Sequence, residues 1–217
     1  MTRRKGYIPA LHFDWLAPAY DPVVMFLMRE RFFKHLLIQR ADIRSGHTVL
    51  DLACGTATLT ILIKRSQPSA TVIGIDGDER ILAIARKKTQ RSGCELRLDK
   101  GFATALPYPD ERFDRVLTSL AMHHLATEDK RIAMKETLRV LRRTGRLHIA
   151  DFGPPTGVYA RVIALLLRRL EPVEDNYRGM LPVMMREAGL VDVAATDRVA
   201  TVFGTLYLYQ GLTSSPT

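Results

Sequence analysis

The sequence predicts an α/β protein built on a doubly wound, mostly parallel sheet of seven strands. Three observations support this. Short strands apolar on both faces alternate with amphipathic helices, turns of small residues join them, and a hairpin pattern closes the chain. Strands apolar on both faces are typical of a parallel sheet covered by helices. Right-handed crossovers then make such a sheet doubly wound.

The first half of the chain contains two strands and two helices in this pattern. A helix is predicted over 22–40, where apolar and basic residues alternate at helical spacing, and Gly46 follows it. The apolar run at 48–52 predicts a strand, and a turn of small residues leads from it into a helix at 59–64. A second apolar strand is predicted at 71–76.

The middle of the chain repeats the alternation. An amphipathic helix at 79–91 ends at Gly93, a residue that favours a helix terminus. A short third strand is predicted at 95–98 and a fourth at 113–120. A long helix at 131–142 follows the fourth strand.

The last third has a different pattern. After a fifth strand at 146–151, an apolar helix with interspersed arginines is predicted at 158–170, and a further helix at 181–187. Strands at 191–196 and 201–209 are separated by a very short connection, so they must pair antiparallel.

Length and composition favour one large domain. The chain has 217 residues, of which 47% are hydrophobic and 25% are charged, as in ordinary globular proteins. Cys54 and Cys94 do not form a CxxC pair, so we expect no disulfide framework, no structural metal and a reducing, cytoplasmic setting.

Charge and hydropathy bear on targeting, membrane insertion and binding partners. The basic start at 1–5 precedes no clean apolar run, so we expect no signal peptide, and the stretch at 158–170 is too short to span a bilayer. A net charge of +9 is compatible with contact with a membrane surface, with nucleic acid or with an acidic substrate. The sequence does not indicate an oligomeric state.

A nucleotide site is predicted where the first strand ends. Its turn, Ala53-Cys54-Gly55-Thr56-Ala57, consists of small residues that let the backbone approach a ligand closely. In a doubly wound sheet this turn lies at the ligand-binding edge. Asp76 ends the second strand and can accept hydrogen bonds from ribose hydroxyls. Together the turn and the acid indicate an adenosine ligand.

The same features weigh against a dinucleotide and an NAD-dependent oxidoreductase. The GxGxxG spacing that places a pyrophosphate on a helix N-terminus is absent. Asp51 lies two residues before the turn, where it would repel a pyrophosphate but would suit an ammonium or sulfonium group.

Five segments resemble motifs of the class I S-adenosylmethionine-dependent methyltransferases. VLDLACGT at 49–56 resembles motif I, and ALPYPDERFD at 105–114 resembles LPFxDxxFD. SLAMHHL at 119–125 resembles the end of strand four with its paired histidine, and RVLRRTGRL at 139–147 resembles RVLKPGGRL. FDWLAPAYD at 13–21 resembles FDxxAPxYD of the ubiquinone/menaquinone methyltransferase group, which carries the type 11 domain.

The resemblance, which covers 13–152 well, implies an architecture and a cofactor. It implies a Rossmann-like domain over 46–217 with strand order 3-2-1-4-5-7-6, the last strand antiparallel. It also implies a helical cap over the cofactor at 1–45 and acceptor-side lid helices at about 154–188. The implied cofactor is S-adenosylmethionine, and the product is S-adenosylhomocysteine.

Site residues follow from the resemblance position by position. The motif I turn contacts the methionine end of the cofactor, Asp76 the ribose and Phe102 the adenine, while the tyrosine of the N-terminal motif covers the site. The implied cofactor-binding residues are Tyr20, Asp51, Ala53, Gly55, Thr56, Asp76, Gly77, Phe102, Ala103, Ser119 and Leu120.

Some of these positions depart from the family pattern. Ala53 and Ala57 stand where many relatives have glycine, and Gly77 stands where many have an apolar residue against the adenine. Phe102 replaces an aspartate that bonds the adenine amine, so we expect its ring to pack on the adenine or the Ala103 amide to bind it.

Methyl transfer from a sulfonium is an in-line displacement that depends on alignment, and it needs a base only if the acceptor is protonated. His123 and His124, at the end of the fourth strand, are the candidate bases, and Asp151, after the fifth, faces the expected acceptor side. Each also has a structural interpretation, as a cap, a packing group or a turn residue. His148 and Cys54 are interpreted as structural.

The expected substrate is a small apolar or aromatic acceptor, with carbon, oxygen and nitrogen all open as the methylated atom. Lid aromatics and methionines suit a bulky ligand: Tyr159, Tyr177, Met180, Met184 and Met185.

The alternatives are a non-catalytic S-adenosylmethionine-binding module and an RNA methyltransferase. Against RNA, the NPPY-type signature and any basic motif with interleaved aromatics are absent. The basic face of helix 131–142 is expected to be solvated.

Overall fold

The computed structural model describes residues 29–167 and 173–213, with the backbone alone for residues 166 and 167. Its strands are β1 (Thr48–Leu52), β2 (Thr71–Asp76), β3 (Arg97–Lys100), β4 (Phe113–Ser119), β5 (Leu141–Phe152), β6 (Val191–Thr201) and β7 (Gly204–Leu212). Its helices are α1 (Glu30–Ala41), α2 (Thr58–Ser66), α3 (Glu79–Ser92), α4 (Thr127–Val140), α5 (Gly157–Leu167), α6 (Glu174–Tyr177) and α7 (Leu181–Glu187). A 3-10 turn covers Met122–His124.

The strands form one seven-stranded sheet in the order β3-β2-β1-β4-β5-β7-β6, which confirms the expected fold class. Neighbours among β1 to β5 pair parallel. The last strand, β7, inserts antiparallel between β5 and β6. The hairpin therefore ends the parallel sheet, as its short connection required.

Several element boundaries differ from the predicted ones. β3 begins two residues later than expected, and α4 begins at Thr127, where Glu128 and Asp129 place acidic charge in its first turn. Leu141 pairs with Phe113 and so belongs to β5 instead of the helix.

The hairpin boundary and one short helix were also missed. Thr201 was expected in the last strand, but it ends β6 and pairs with Gly204 across the turn. Helix α6, at Glu174–Tyr177, lies in a segment for which the sequence pattern predicts no element.

Alternate residues of the strands point into two cores, one on each face of the sheet. Leu50 and Leu52 join the core that contains Met134 of α4 and Met185 of α7. Val49 points the other way, into the core formed with α1 and α2. Residue 51 therefore lies on the α1–α2 side.

The predicted cap and lid are only partly described. Helix α1 of the 1–45 cap packs against β4, β5 and α2, and residues 1–28, including Tyr20, lie outside the described residues. Met184 and Met185 are 1% and 0% exposed because α7 packs against α4 and β6. That the lid region accommodates a bulky ligand stays a prediction. Within the described ranges, no helix has the length and apolar character to cross a membrane.

Candidate functional site

The carboxyl ends of β1, β2, β4 and β5 lie side by side at one edge of the sheet. Leu52 of β1 aligns with Ile75 of β2 on one side and Thr118 of β4 on the other. Ser119 aligns with Ala150 of β5. This edge is where ligands bind in doubly wound sheets, because loops diverge from it on both faces.

The turn after β1 holds a left-handed backbone even where its residues are not glycine. The φ angles of Ala53, Gly55 and Ala57 are +55°, +55° and +61°. Alanine rarely adopts such angles, which cost roughly 1 kcal/mol each. Of the seven non-glycine residues with positive φ in the described chain, Ala53, Ala57 and Leu120 lie at the predicted cofactor site.

Asp76 ties the ends of β1 and β2 together. Its Oδ2 accepts a hydrogen bond from the Gly55 amide at 2.9 Å, and its Oδ1 accepts one from the Asp78 amide at 2.9 Å. The Cys54 amide also donates to the Ile75 carbonyl at 2.9 Å. These bonds place the predicted ribose-binding acid directly against the motif I turn.

Asp51 differs from Asp76 in being buried, with 1% of its surface exposed. The Thr60 hydroxyl of α2 donates to its Oδ2 at 2.6 Å. Burial raises the pKa of Asp51 to about 6, although the Thr60 hydrogen bond and the charge of Lys34 oppose the shift. Its carboxylate thus faces the helices that cover β1, and any effect on a ligand acts through the turn that follows it.

Gly77 and Phe102, two of the positions that depart from the family pattern, are in contact. A Cβ at position 77 would lie 2.7 Å from Cε1 of the Phe102 ring. The Gly101 amide donates to the Asp76 carbonyl at 3.0 Å, which fixes this approach. The ring is 51% exposed at the ligand edge, so it supplies the apolar surface that position 77 lacks.

The remaining predicted cofactor residues lie along the same edge. Thr56 and Thr58 bring their hydroxyls within reach of Lys88 of α3. Ala103 is partly buried and packs against the core. Ser119 ends β4, and Leu120 continues with a φ of +54° while its amide donates to the Ala150 carbonyl at 2.8 Å.

Asp151, which is fully buried, organises the acceptor side predicted next to the cofactor. Its Oδ1 accepts from His123 Nδ1 at 2.8 Å, and its Oδ2 accepts from the amides of Ala121 and Met122 at 3.1 and 2.8 Å. Burial alone would raise the pKa of Asp151, but the charge and hydrogen bond of His123, with two backbone amides, lower it. The carboxylate stays ionised, so the proton of the pair lies on Nδ1.

The two histidines lie against each other. Their ring centroids are 4.0 Å apart, and the His123 ring meets Phe152 edge-on at 5.1 Å. His123 is 6% exposed, whereas His124 is partly exposed. The structure therefore brings His123 and Asp151 together and leaves His124 as the outer ring of the stack.

Asn176 completes this group, and the sequence offered no signal for it. It lies on α6, fully buried, and donates from Nδ2 to Asp151 Oδ1 at 3.1 Å and to the Phe152 carbonyl at 3.3 Å. Its separation of 25 residues from Asp151 follows no motif spacing. Thr60 was also missed, although its place early in the helix after β1 could have suggested a contact with the Asp51 strand.

The basic face of α4 is more than a solvated surface. Arg139 is 30% exposed and donates to Glu136, Asp110 and the carbonyls of Leu106 and Tyr108. Its bonds hold the loop that carries Phe102. Arg131 of the same face pairs with Glu187 at 3.2 Å, so the charge is largely compensated by acids.

Two residues interpreted as structural are buried. Cys54 is 8% exposed, and burial, followed by the charges of Asp51 and Asp76, raises the pKa of its thiol. His148 lies inside the sheet, 1% exposed. Among the residues that the structure describes, no cluster of three His, Cys, Asp or Glu side chains is suited to hold a metal ion.

Comparisons with known proteins show the family and the fold of this chain. A family model described as a methyltransferase domain matches residues 49–145. A demethylmenaquinone methyltransferase of Thermus thermophilus is 34% identical over 163 residues, covering 74% of this chain and 73% of that relative. One from Symbiobacterium thermophilum is 30% identical and covers 96% of this chain and 93% of its own length.

A solved structure shares the fold. The YcgJ protein of Bacillus subtilis superposes with a TM-score of 0.67 at 20% sequence identity, over 84% of this chain and 98% of that one.

Proposed function

Because this chain belongs to the class I S-adenosylmethionine-dependent methyltransferases, we propose that its acceptor is a small apolar or aromatic molecule. The matches to two proteins named demethylmenaquinone methyltransferase cover more than two thirds of those proteins' lengths. Their names support an acceptor of this class. The buried His123–Asp151 pair carries the part of the proposal that concerns proton removal from the acceptor.

The residues at the ligand edge fit the cofactor. Gly55 has open space where a side chain would be, Asp76 is held against it, and the Phe102 ring provides an apolar surface beside Gly77. We propose that these three positions hold the methionine end, the ribose and the adenine. When bound, the sulfonium of S-adenosylmethionine supplies the methyl group.

We propose that His123 is the base for an acceptor whose reacting atom must lose a proton. The Asp151 carboxylate keeps the His123 proton on Nδ1, which leaves the lone pair on Nε2 in the neutral ring. The same arrangement orients a general-base imidazole in hydrolases. Asn176 and the amides of Ala121 and Met122 hold the carboxylate in place.

The cofactor assignment is tested by calorimetric titration with S-adenosylmethionine, S-adenosylhomocysteine and NADH. We expect micromolar binding of both adenosyl ligands and no binding of NADH. Asp76→Asn should weaken binding at least tenfold, because it removes the charge facing the ribose hydroxyls. Glu95→Gln, an exposed acid outside the edge, serves as the matched control. Unchanged affinity in Asp76→Asn would show that the ribose is held elsewhere.

The acceptor is tested with a panel of reduced quinones, simple phenols and aromatic amines, using S-adenosylmethionine labelled in the methyl group. Label transferred to an extractable product identifies the class. For an acceptor that loses a proton, His123→Asn should lower kcat by about 10²–10⁴-fold and abolish the rise of kcat with pH. His124→Asn is the matched control and should keep that rise. A full pH profile in His123→Asn would reject His123 as the base.

A further inference from the structure

Helix α5 exposes its large side chains and buries its small ones. Ala160 and Ala164 are 5% and 4% exposed, whereas Val158, Val162 and Leu165 are 78%, 53% and 65% exposed. A helix on a water-facing surface normally has the opposite arrangement, with its larger apolar residues turned to the core. The outer face of α5 is therefore built for a surrounding other than water.

The exposed face continues onto the neighbouring hairpin. The Tyr159 hydroxyl donates to the Val202 carbonyl at 2.8 Å, and Val202, in the β6–β7 turn, is itself 42% exposed. We call Val158, Tyr159, Val162, Leu165 and Val202 the α5 patch. These five form half of the ten large apolar side chains that are exposed in the described part of the chain. Such clustering marks an interaction surface, because singly scattered apolar residues are the norm.

The stretch of chain that contains α5 is basic. Between residues 152 and 170 the sequence contains three arginines and no acidic residue. One of them, Arg161, lies within the described part of α5 and is exposed. On a helix, Arg161 is one turn from both Val158 and Leu165, so the cation lies at the border of the apolar face. The patch therefore combines apolar side chains with positive charge.

We propose that the α5 patch docks on the surface of an anionic lipid bilayer. Its apolar side chains enter the boundary between headgroups and acyl chains, and Arg161 lies at the level of the lipid phosphates. A second copy of the chain fits less well. A two-fold contact would bring two copies of the same patch together, and residues 152–170 of neither copy contain an acid to pair with the partner's Arg161. The proposal does not depend on the identity of the methyl acceptor.

The test is co-sedimentation of the full chain with vesicles of phosphatidylcholine, with and without phosphatidylglycerol. We expect at least tenfold tighter binding to the anionic vesicles, weakened by added salt. The triple variant Val158→Ser, Val162→Ser, Leu165→Ser should lose at least tenfold in affinity for them. Arg161→Gln should weaken binding to the anionic vesicles several-fold.

A matched control places the same change on other exposed apolar residues: Ile84→Ser, Val183→Ser and Val191→Ser. This control should bind vesicles like the unsubstituted chain. No binding to anionic vesicles, or equal binding by the patch triple, would overturn the proposal. A dimer in sedimentation velocity that the patch triple disperses, without vesicle binding, would instead assign the patch to self-association.

Two further measurements separate a loss of vesicle binding from a loss of folding. The patch triple should retain its thermal unfolding midpoint and its affinity for S-adenosylhomocysteine, since its three side chains are already exposed. If the triple unfolds, Leu165→Ser alone should still weaken vesicle binding, and unchanged binding would overturn the proposal. Failure of vesicle binding with intact ligand affinity would leave the methyltransferase assignment in place.

Discussion

The Phe102 ring lies where a side chain at position 77 would have to be, with Cε1 and Cδ1 only 2.7 and 2.8 Å from a Cβ built there. The two residues are therefore coupled. Gly77→Ala must push the ring aside, and Phe102→Ala must remove the apolar surface from the ligand edge. We expect each change to weaken S-adenosylhomocysteine binding, the loss of the ring by about 1–2 kcal/mol.

The double variant distinguishes coupling from two separate effects. In Gly77→Ala with Phe102→Ala, the new methyl group has no ring to displace, so the loss of affinity should be smaller than the sum of the single losses. Calorimetry on all four proteins measures the difference, with thermal unfolding as a check on folding. Losses that add within about 0.5 kcal/mol would contradict the coupling.

The Arg139 guanidinium holds the loop that carries Phe102. It donates to both oxygens of Glu136 and to the carbonyls of Leu106 and Tyr108, each between 2.8 and 3.1 Å. Arg139→Lys cannot reproduce this fork of donors. We expect faster hydrogen exchange across residues 101–110 and a loss of about 1–2 kcal/mol in unfolding free energy.

Arg131→Lys on the same helix is the control for this prediction. Its guanidinium makes one contact of 3.2 Å with Glu187 in the described chain, close to the surface. We expect little change in stability or exchange. Equal effects of the two substitutions would mean that the loop does not depend on Arg139.

His148 should make the protein sensitive to acid. Burial, together with the charges of Arg115 and Arg146, lowers the pKa of His148 to about 3, and its Nε2 has no hydrogen-bond partner in the described residues. The unfolded chain takes up this proton near pH 6.5. Above about pH 6.5 His148 is neutral in both states, so it does not lower the unfolding free energy. As the pH falls from 6.5 toward 3, only the unfolded chain takes up the proton, and the unfolding free energy falls by about 1.4 kcal/mol per pH unit.

Denaturant unfolding between pH 7 and pH 5 tests this sign. Between pH 6.5 and pH 5, the unfolding free energy of His148→Leu should fall by about 2 kcal/mol less than that of the unsubstituted chain. Burial also lowers the pKa of His47, so some dependence should remain. His35→Leu, at an exposed position of α1, should keep the full slope. A slope unchanged in His148→Leu would contradict the prediction.

The ionised Asp51 carboxylate should lower the unfolding free energy at neutral pH. Burial raises the pKa of its carboxyl to about 6, so ionisation of the folded chain is opposed. As the pH rises from about 4 to 6, this residue makes folding less favourable, and the cost is complete above pH 6. Asp51→Asn keeps an acceptor for Thr60 and should raise the unfolding free energy at pH 7.5 by on the order of 1–2 kcal/mol.

The same substitution should weaken S-adenosylmethionine binding, because the turn after β1 loses the negative charge behind it. Asp197→Asn is the contrasting variant, since the Arg40 hydrogen bond lowers the pKa of that carboxyl. It should gain no stability at pH 7.5. A less stable Asp51→Asn would show that the ionised carboxylate supports the fold.

Local patterns were sufficient for most of the fold and for part of the site. β1 and β2 begin and end where their apolar runs do. The turn at 53–57 and Asp76 meet at the ligand edge, because parallel neighbouring strands end there. Boundaries failed where pairing with a distant strand decided them, as for Leu141 with Phe113 and Thr201 with Gly204.

The sequence by itself determined the order of strands and helices, the ligand edge and the family. The first two depend on periodicity or spacing within a few tens of residues, and the family depends on the resemblance of five segments to known motifs. Only the tertiary structure decided which side chains meet: Phe102 with Gly77, Asn176 with Asp151, and the outward face of α5. These contacts join segments brought together by crossovers, and their geometry depends on how helices pack on the sheet. A sequence pattern records which face is apolar, but packing selects what that face touches.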